Sequence, residues 1–228
     1  MCGRYTLTST DLAAVAAELD AVLDDAAARL HRPRFNVAPT NAAVIARPGT
    51  DRPLLIPAAW GLRRDQRLII NVRSENAAAR FPAAYQHGRC VVPADGFYEW
   101  TGERSDRRPI WFHPEGGSQT LWMAGLFEER AARSPAEGGA EPEALPVFAV
   151  LTTAARPPVA AIHDRMPVLL SREGARRWLL GKPPRVLVPD EIPLAARAVS
   201  PRVNATVHDD PACLEPATET GGKQLGLF

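Results

Sequence analysis

The sequence predicts an α+β fold whose twisted, mostly antiparallel sheets form a partly closed, β-barrel-like core with a few flanking helices. Two observations support this prediction. Many short apolar runs are separated by turn residues, and few stretches repeat with helical periodicity. The 228 residues, with 46% hydrophobic content, suit one compact core. We therefore predict a single domain over residues 2–216 and a disordered tail over residues 217–228.

The first predicted element is an amphipathic helix. Residues 8–11 offer side-chain oxygens that can cap a helix, and apolar residues then recur at helical spacing from Leu12 to Leu30. Pro33 is expected to end this helix. The sequence therefore predicts one helix whose apolar stripe faces the core.

Short strands follow the helix. Residues 43–46 and 54–61, separated by a Pro-Gly turn, predict a hairpin. Residues 68–75 alternate as a strand does, so Asn71 and Arg73 are expected to project from the same face. An amide and a guanidinium would then point into the same space.

The second half of the chain also consists mainly of predicted strands. Apolar runs predict strands at 89–94, 97–100, 109–112, 121–126, 146–153 and 186–188. The glycine pair at 116–117 suggests that the third and fourth of these strands form a pair. Ser171 is expected to cap a helix that Gly181 ends. The stretch 128–146, rich in Ala, Glu, Gly and Pro, predicts a mobile surface loop.

Composition and charge give only limited information on the class of protein. The net charge of +1 gives no global argument for or against a nucleic-acid partner. Eleven arginines between Arg29 and Arg89 face only three acids, so this third of the chain is basic, although a bias for arginine over lysine is an alternative explanation. The three cysteines form no CxxC pair, which indicates reduced thiols.

The sequence shows neither a cofactor motif nor a membrane segment. The chain contains no nucleotide-binding glycine loop and no zinc spacing, so we expect neither a cofactor nor a metal. It contains no secretory segment and no apolar run that approaches the length of a membrane span. We therefore expect a cytoplasmic protein with no membrane partner.

Cys2 is the first candidate for chemistry. Removal of Met1 would leave an amine and a thiol attached to neighbouring carbons, with ordinary pKa values of about 8 and 8.5. Such an aminothiol can attack an aldehyde through the amine and then close a thiazolidine ring, or it can attack an amide through the thiol. The alternative is that Cys2 is a small apolar side chain packed under the first strand.

Two further titratable residues are candidates. Glu99 shares a strand face with Phe97, so it is either an edge residue in water or a buried acid with a raised pKa that transfers protons. His163 stands beside an acid and an arginine at the end of an apolar run, a place where functional sites often occur. A lone histidine is more often structural.

Seven short motifs occur together in a characteristic order. They are MCGRY at 1–5, FNVAPT at 35–40, WG at 60–61, INVRSE at 70–75, DGFYEW at 95–100, IHDRMP at 162–167 and VS at 199–200. Their combination resembles the SOS-response-associated peptidase family, the abasic-site processing proteins, from Cys2 to about Pro216. The resemblance supports the predicted fold.

The resemblance implies a single-turnover chemistry on single-stranded DNA that contains abasic sites. In this family the amine of Cys2 attacks the sugar aldehyde and the thiol closes a thiazolidine, which makes the protein a covalent shield. Asn71 would hold the sugar or the terminal amine, Glu99 would transfer protons in ring opening and closure, and His163 would shuttle a proton for Schiff-base formation and reversal. A monomer is expected.

The resemblance also implies DNA contacts. Arg4 and Arg73 would bind phosphates, and the assigned contacts include Asn36, Pro39 and Trp60. Between 61 and 71 this chain is shorter than its relatives and lacks their aromatic pair, which wedges against bases. Here Arg63, Arg64 and Arg67 would replace stacking with charge, which predicts stronger salt dependence than in relatives.

Three other functions remain open from the residues. An N-terminal-nucleophile amidohydrolase of the glutamine amidotransferase type also begins Met-Cys-Gly, although its other signatures are not found here. A peptidase limited to processing at Met1 is a second possibility. A non-catalytic reader of modified DNA bases, in which Cys2 is incidental, is a third.

Overall fold

The computed structural model describes residues 2–103, 105–117, 119–130 and 145–217. Met1, most of the predicted loop at 128–146 and the predicted tail beyond Ala217 lie outside these ranges. Within them, the chain is α+β and built mostly of strands, with five α-helices. The predicted fold class is confirmed.

The elements follow one another in short units. The strands are β1 Tyr5–Leu7, β2 Val22–Leu23, β3 Arg34–Val37, β4 Ala42–Arg47, β5 Leu54–Trp60, β6 Leu62–Arg64, β7 Arg67–Ile69, β8 Asn71–Arg73, β9 Arg89–Ala94, β10 Gly96–Thr101, β11 Arg108–Pro114, β12 Leu121–Glu128, β13 Val147–Ala154, β14 Arg165–Pro167, β15 Leu169–Leu170 and β16 Leu194–Ala198. The helices are α1 Leu12–Glu18, α2 Asp25–Leu30, α3 Ser74–Arg80, α4 Pro82–His87 and α5 Arg172–Leu180. Short 3₁₀ helices cover Val159–Ala161, Pro201–Asn204 and Pro211–Leu214.

Two large sheets organise the described residues. One is antiparallel, with strand order β16-β11-β10-β1-β3. The other runs β14-β13-β12-β9-β4-β5-β2, with β8 added to β13 and β15 to β12. Because β13 also pairs with β5, five strands of this larger sheet, from β13 to β5 in the order above, close partly into a ring. The first strand, β1, thus lies inside the smaller sheet, between β10 and β3.

The core has a layer on each side of the larger sheet. In one layer, the helices pack against the larger sheet, and this layer contains Trp122 and Trp178. The other lies between the two sheets and contains Tyr5, Trp60 and Phe148, whose rings contact one another. Cys2 belongs to this second layer, so its side chain is packed between the two sheets.

The prediction of one continuous helix from Leu12 to Leu30 is wrong. The structure divides it into α1 and α2, separated by β2. Asp20 adopts a left-handed backbone with φ of 54°, and the amide of Val22 donates to the carbonyl of Pro53 at 2.8 Å. Asp24 then caps α2 through its side chain. Pairing with β5 therefore outweighs the helical periodicity of this segment.

The predicted strand at 68–75 is also divided. Asp65 and Gln66 both have positive φ, and this tight turn pairs β7 with β6. After Ile70 the chain changes partner, and β8 pairs in parallel with β13. The carbonyl of Ile70 accepts hydrogen bonds from Trp60 Nε1 and the amide of Val150, which fixes the break.

Two other strand predictions are wrong. The strands β11 and β12 do not pair with each other, because β11 lies in the smaller sheet and β12 in the larger one. Residues 186–188 form no strand. By contrast, the hairpin of β4 and β5, the strands β9, β10 and β13, and the cap of α5 by Ser171 are confirmed.

The helices that the structure describes are short. None of them is long and apolar enough to cross a membrane.

Candidate functional site at the amino terminus

The backbone around Cys2 is positioned by β1 and β10. Tyr5 lies opposite Phe97 in this antiparallel pair, and the amide of Tyr98 donates to the carbonyl of Arg4 at 3.0 Å. The same register places Gly3 opposite Glu99. A carboxylic acid is therefore held beside the residue that follows Cys2.

The end of β1 is fixed by an acidic side chain. Asp95, in the turn between β9 and β10, accepts from the amide and hydroxyl of Thr8, both at 2.5 Å, and from the hydroxyl of Thr6. A carboxylate that accepts several hydrogen bonds fixes the two segments firmly. The first strand therefore cannot slide along β10 without breaking this cluster.

Asn71 contacts Cys2 directly. Its Nδ2 donates to the carbonyl oxygen of Cys2 at 2.7 Å. Its Oδ1 is buried and has no hydrogen-bond partner among the described residues. Pairing of β8 with β13, in which Asn71 lies opposite Val150, fixes this amide. An acceptor oxygen is thus available next to the residue that would carry the new amino terminus.

Glu99 is buried, with 3% exposure. Burial raises the pKa of Glu99 to about 7, and the positive charge of the chain's amino terminus opposes part of this rise. At neutral pH this carboxyl group is therefore present in both protonation states. A group with such a pKa can both donate and accept a proton.

The thiol of Cys2 is fully buried. Burial raises the pKa of the Cys2 thiol, and the nearby charge of Glu99 raises it further. Its Sγ lies 3.6 Å from the carbonyl oxygen of Arg4, as a weak donor. The sulfur is therefore a neutral thiol at neutral pH, and its packing agrees with the alternative interpretation of Cys2 as a small core side chain.

His163 is held by the loop between the 3₁₀ helix at Val159–Ala161 and β14. Its backbone amide donates to the carbonyl of Val159 at 3.0 Å, and its Nδ1 accepts from the amide of Arg165 at 2.9 Å. Asp164 Oδ1 also lies 2.9 Å from Nδ1, but the backbone amide always carries its proton, so we assign Nδ1 as the acceptor. Burial lowers the pKa of His163, which favours neutral imidazole with its proton on Nε2.

An open cleft of about 440 Å³ exposes two of these groups, Glu99 and His163, to solvent. It is lined by Gly3, Arg4, Glu99, Trp100, Ser105, Arg107, His163 and Asn204. Asn71 does not line the cleft, but it is hydrogen-bonded to Cys2, the residue that precedes Gly3 in the chain. The structure thus brings the predicted amide, acid and imidazole around the amino-terminal segment, with a route to solvent.

Asn36 does not face this cleft. It is fully buried, and its Nδ2 donates to the carbonyls of Val203, Ala205 and His208. Its Oδ1 accepts from Arg4 at 2.8 Å. The predicted DNA contact by Asn36 is therefore wrong, because its polar atoms tie β3 to the carboxyl-terminal segment.

Trp60 is also buried completely. Its ring stacks on Phe148 at 6.3 Å between centroids and meets Tyr5 edge-on, and its Nε1 is bonded to a backbone carbonyl. The predicted DNA contact by Trp60 is therefore wrong as well. Pro39 is half-buried and follows β3, so it stays a predicted contact.

The predicted phosphate ligands differ in their surroundings. Arg4 is half-buried, donates to the carbonyl of Val203 at 2.8 Å, and lies over Trp100 with 5.8 Å from Cζ to the ring centroid. Arg73 is exposed on β8, on the same side as Asn71 as expected from the strand period. The first guanidinium is fixed in the cleft wall, and the second lies at the surface.

The hairpin of β6 and β7, here called the basic hairpin (Leu62–Ile69), carries the other predicted arginines. Arg63 and Arg67 are exposed and form no ion pair with an acid among the described residues. Arg64 is ion-paired with Glu128 and lies 5.6 Å above the ring of Phe81. Two of the three predicted cations therefore remain available to an anionic partner.

An ion pair that the sequence prediction missed supports the site. Arg165 donates to both carboxylate oxygens of Glu75, at 2.6 and 2.8 Å, and to the carbonyl of Thr152 at 2.6 Å. The hydrogen bond from Arg165 lowers the pKa of Glu75 to about 2. This clamp joins the His163 loop to α3, just after Asn71. Glu75 ends the INVRSE motif and Arg165 lies in the IHDRMP motif, and this was the sequence signal that could have indicated the pair.

Trp100, Arg107 and Asn204 were also missed. Trp100 Nε1 donates to Asn204 Oδ1 at 2.7 Å, and Asn204 Nδ2 donates to the carbonyl of Arg107 at 3.1 Å. These bonds connect the end of β10 with the carboxyl-terminal segment. No sequence signal links positions about a hundred residues apart, so only the fold shows this wall. Among the described residues, no cluster of three or more potential ligands could hold a metal ion.

Comparisons with known proteins agree with this arrangement. A family model described as SOS response associated peptidase (SRAP) matches residues 1–206. The chain is 34% identical over 186 residues to abasic site processing protein YedK of Escherichia coli, covering 78% of this chain and 79% of that one. It is 31% identical over 237 residues to abasic site processing protein YoqW of Bacillus subtilis, covering 94% and 99%.

Solved structures show the same fold. A protein from Bacteroides thetaiotaomicron superposes with a TM-score of 0.77 at 18% identity, over 95% of this chain and 100% of that one. A phage-related protein from Bordetella bronchiseptica gives a TM-score of 0.65 at 27% identity, over 87% and 94%. The arrangement of strands is therefore shared by proteins of low sequence identity.

Proposed function

Because this chain belongs to the SOS response associated peptidase family, we propose that it processes abasic sites in single-stranded DNA by forming a covalent bond through Cys2 once Met1 is removed. Relatives are named as abasic site processing proteins, among them one from Xenopus tropicalis that is 33% identical over 149 residues. The observation that carries the proposal is the contact of Asn71 with the Cys2 carbonyl, beside a cleft lined by Glu99 and His163.

The first step is attack by the amine. A ring-opened abasic sugar has an aldehyde, and the neutral amine of Cys2 adds to its carbonyl carbon to give a carbinolamine. The buried Oδ1 of Asn71 is an acceptor that can orient an N–H of this amine. Glu99 in its carboxylate form can take the proton that nitrogen loses and return it to the new oxygen, while the Nε2–H of neutral His163 can donate a hydrogen bond to that oxygen.

The second step expels water. The carbinolamine hydroxyl must be protonated before the C–O bond breaks, and this gives the iminium and one water molecule. Glu99, with a pKa of about 7, holds a proton in a useful fraction of molecules at neutral pH. Once it has donated the proton, its carboxylate stabilises the positive iminium nearby.

The third step closes the ring. The thiol sulfur of Cys2 adds to the iminium carbon, and its proton passes to the carboxylate of Glu99, which leaves a neutral thiazolidine. Overall, one aldehyde and one aminothiol give one ring and one water. Burial keeps the Cys2 thiol protonated, and a protonated thiol is a weaker nucleophile than a thiolate. This agrees with an order in which the amine reacts before the thiol.

The DNA backbone would be held by cations around the cleft. Arg4 and Arg107 line it, and exposed Arg73 lies beside Asn71. Guanidinium groups bind phosphate through paired hydrogen bonds. Trp100, half-buried in the wall, offers a ring to a base or sugar next to the lesion. The basic hairpin would extend this contact, and the activity would serve the response to DNA damage.

The remaining alternatives are less well supported. A peptidase or an amidohydrolase that uses the Cys2 thiol as its nucleophile needs a thiolate, and burial raises the pKa of this thiol. A non-catalytic reader of DNA needs no acid of raised pKa in its cleft, yet Glu99 has one. Aldehyde capture uses both features.

The proposal is tested with the processed protein and a single-stranded oligonucleotide that contains one abasic site. We expect a product that survives denaturation, and we expect Cys2→Ala to abolish it while retaining non-covalent binding of the same DNA. A matched oligonucleotide with an intact base should give no such product. Equal covalent yield from Cys2→Ala would overturn the proposal.

A further inference from the structure

Asn36 lies in the FNVAPT motif, and the proposed chemistry leaves it without a role. Its side chain is fully buried, yet its one amide group joins three parts of the chain. The Nδ2 group donates to the carbonyls of Val203, Ala205 and His208, at 3.2, 3.1 and 2.6 Å. The Oδ1 atom accepts from Nη1 of Arg4 at 2.8 Å. Asn36 therefore holds Arg4 against the carboxyl-terminal segment.

These contacts use one side of the Arg4 guanidinium. Asn36 and the carbonyl of Val203 accept both N–H groups of Nη1, each at 2.8 Å. The Nη2 group has one long contact, 3.5 Å, with the carbonyl of Asn204. A guanidinium has five N–H groups, so two of them have no acceptor among the residues that the structure describes. Because Arg4 lines the cleft, these two donors are available to a ligand there.

The groups that fix Arg4 are all neutral. They are one amide oxygen and two peptide carbonyls, and no described carboxylate forms an ion pair with Arg4. Arg34, on the neighbouring strand β3, provides a comparison. Asn41 Oδ1 accepts from its Nη2 at 2.9 Å, but Arg34 is also ion-paired with Asp209. The charge of Arg34 is thus compensated within the protein, whereas that of Arg4 remains for an anionic ligand.

The same network supports the rest of the cleft wall. Asn204 accepts from Trp100 Nε1 at 2.7 Å and donates to the carbonyl of Arg107 at 3.1 Å. These three residues and Arg4 line the cleft, whereas Asn36 does not. Asn36 thus acts from behind the wall, where it fixes both the guanidinium and the backbone that precedes Asn204.

From this geometry we propose that Asn36 is a positioning residue, which directs the uncompensated guanidinium of Arg4 toward one phosphate of the bound DNA strand. The inference rests on the proposed function, but it concerns the binding of the strand and not the covalent step. It also explains why the residue is an asparagine. An aspartate of the same shape would cancel the charge of Arg4 and turn a carboxylate oxygen toward three carbonyls.

The test is a double-mutant cycle on the non-covalent binding of single-stranded DNA with intact bases. Asn36→Ala should weaken binding by about 3- to 10-fold and lower the slope of log affinity against log salt by about 0.7, as expected for one lost phosphate contact. Arg4→Gln should have the same effects. In the Arg4→Gln background, adding Asn36→Ala should change the affinity by less than about twofold, because Asn36 acts through Arg4.

A merely structural role of Asn36 gives a different result. The affinity would then fall by the same factor in both backgrounds, and this result would overturn the inference. An unchanged salt slope in Asn36→Ala would also overturn it. The cycle further separates this inference from the proposed function, because DNA binding by the four chains can behave as expected even when no covalent product forms.

Two further variants guard against a general loss of stability. Tyr85→Phe removes a hydrogen bond of a buried side chain on α4, 2.9 Å from the hydroxyl to the carbonyl of Pro184, and should leave the DNA affinity within about twofold of the parental value. If circular dichroism shows that Asn36→Ala does not fold, Asn36→Ser replaces it in the same cycle, with the same expected results. Serine keeps a hydroxyl that can donate and accept, but it is too short to reach both Arg4 and the three carbonyls.

Discussion

The amino-terminal cleft and the basic hairpin both contain predicted functional residues, but the structure holds them in different ways. At the cleft, Glu99 is fixed by burial, and Asn71 next to it is fixed by strand pairing and by its hydrogen bond to Cys2. In the basic hairpin, Arg63 and Arg67 extend into solvent. Under the proposed function, the cleft would perform chemistry, which needs fixed groups, whereas the hairpin would contribute diffuse charge. Substitutions in the two regions should therefore change different quantities.

The largest effect is expected at Asn71. Asn71→Asp keeps the size of the side chain but replaces the donor that faces the Cys2 carbonyl with an oxygen, so the two acceptors repel. We expect the rate of covalent product formation at saturating DNA to fall by about 100-fold. Single-turnover kinetics on a denaturing gel would measure it.

The control for this substitution is Arg177→Gln, an exposed change on α5 that is remote from the cleft. It should leave the rate unaltered. A rate for Asn71→Asp within a factor of about two of the parental rate would break the distinction between the two regions.

Glu99→Gln should slow the reaction and also stabilise the fold. Loss of the proton donor is expected to reduce the crosslinking rate by about 10- to 100-fold. Because the folded pKa of about 7 lies above the ordinary value of 4.5, the folded state binds the extra proton between these pH values. Parental stability is therefore expected to fall by about 2 to 3 kcal/mol as pH rises through this window.

Glutamine cannot ionise, so the variant should lack this loss and be more stable than the parent at pH 8. Urea unfolding at pH 5 and pH 8 would measure the difference. If the parent shows no additional loss of stability over the variant across this range, Glu99 is not the buried acid described here.

The clamp between Arg165 and Glu75 should have an intermediate effect. Arg165→Lys keeps the charge but removes the paired hydrogen bonds that join the His163 loop to α3. We expect a rate about 3- to 10-fold lower with little change in DNA affinity, because the loop loses its position and not its charge. Glu75→Gln should reproduce this change.

For both variants, the measurements are the crosslinking rate as a function of pH and the affinity for single-stranded DNA. A loss of affinity with an unaltered rate would show instead that Arg165 acts on the DNA.

The smallest effect is expected in the basic hairpin. Arg63→Gln with Arg67→Gln should weaken non-covalent binding of single-stranded DNA only a few-fold at physiological salt. It should also lower the slope of log affinity against log salt by about 0.7 for each arginine. The crosslinking rate at saturating DNA should stay parental, and Arg64→Gln, whose partner is Glu128, should have less effect on the slope. A salt titration by fluorescence anisotropy measures these quantities, and an unchanged slope in the double variant would show that the hairpin does not contact the backbone.

The sequence predicted much of the cleft because its residues lie in short motifs. Two-residue periodicity placed Asn71 and Arg73 on one face, and alternation around Glu99 gave a buried acid as one of two interpretations, the one that the structure shows. It did not predict the carboxyl-terminal wall at Asn204, because that contact depends on how distant segments pack. Asn36 and Trp60 show the opposite error, since their motifs match the family while both side chains are buried.

The fold was predictable to the level of strands, but not of strand partners. Apolar alternation identified β11 and β12, yet nothing local indicates that they belong to different sheets. The helical periodicity of residues 12–30 was real, but hydrogen bonds to Pro53 and Leu55 interrupted it. Tertiary pairing decided these cases, and a single sequence does not report it.

The central claim is that the amine and thiol of Cys2 together capture an abasic aldehyde. Its most direct test is the intact mass and peptide map of the product formed with an abasic oligonucleotide, without any reducing agent. We expect the summed masses of the Met1-free chain and the DNA less one water, with the DNA on the Cys2 peptide, stable to denaturation. Attachment at another residue, or a product that appears only after reductive trapping, would contradict the account.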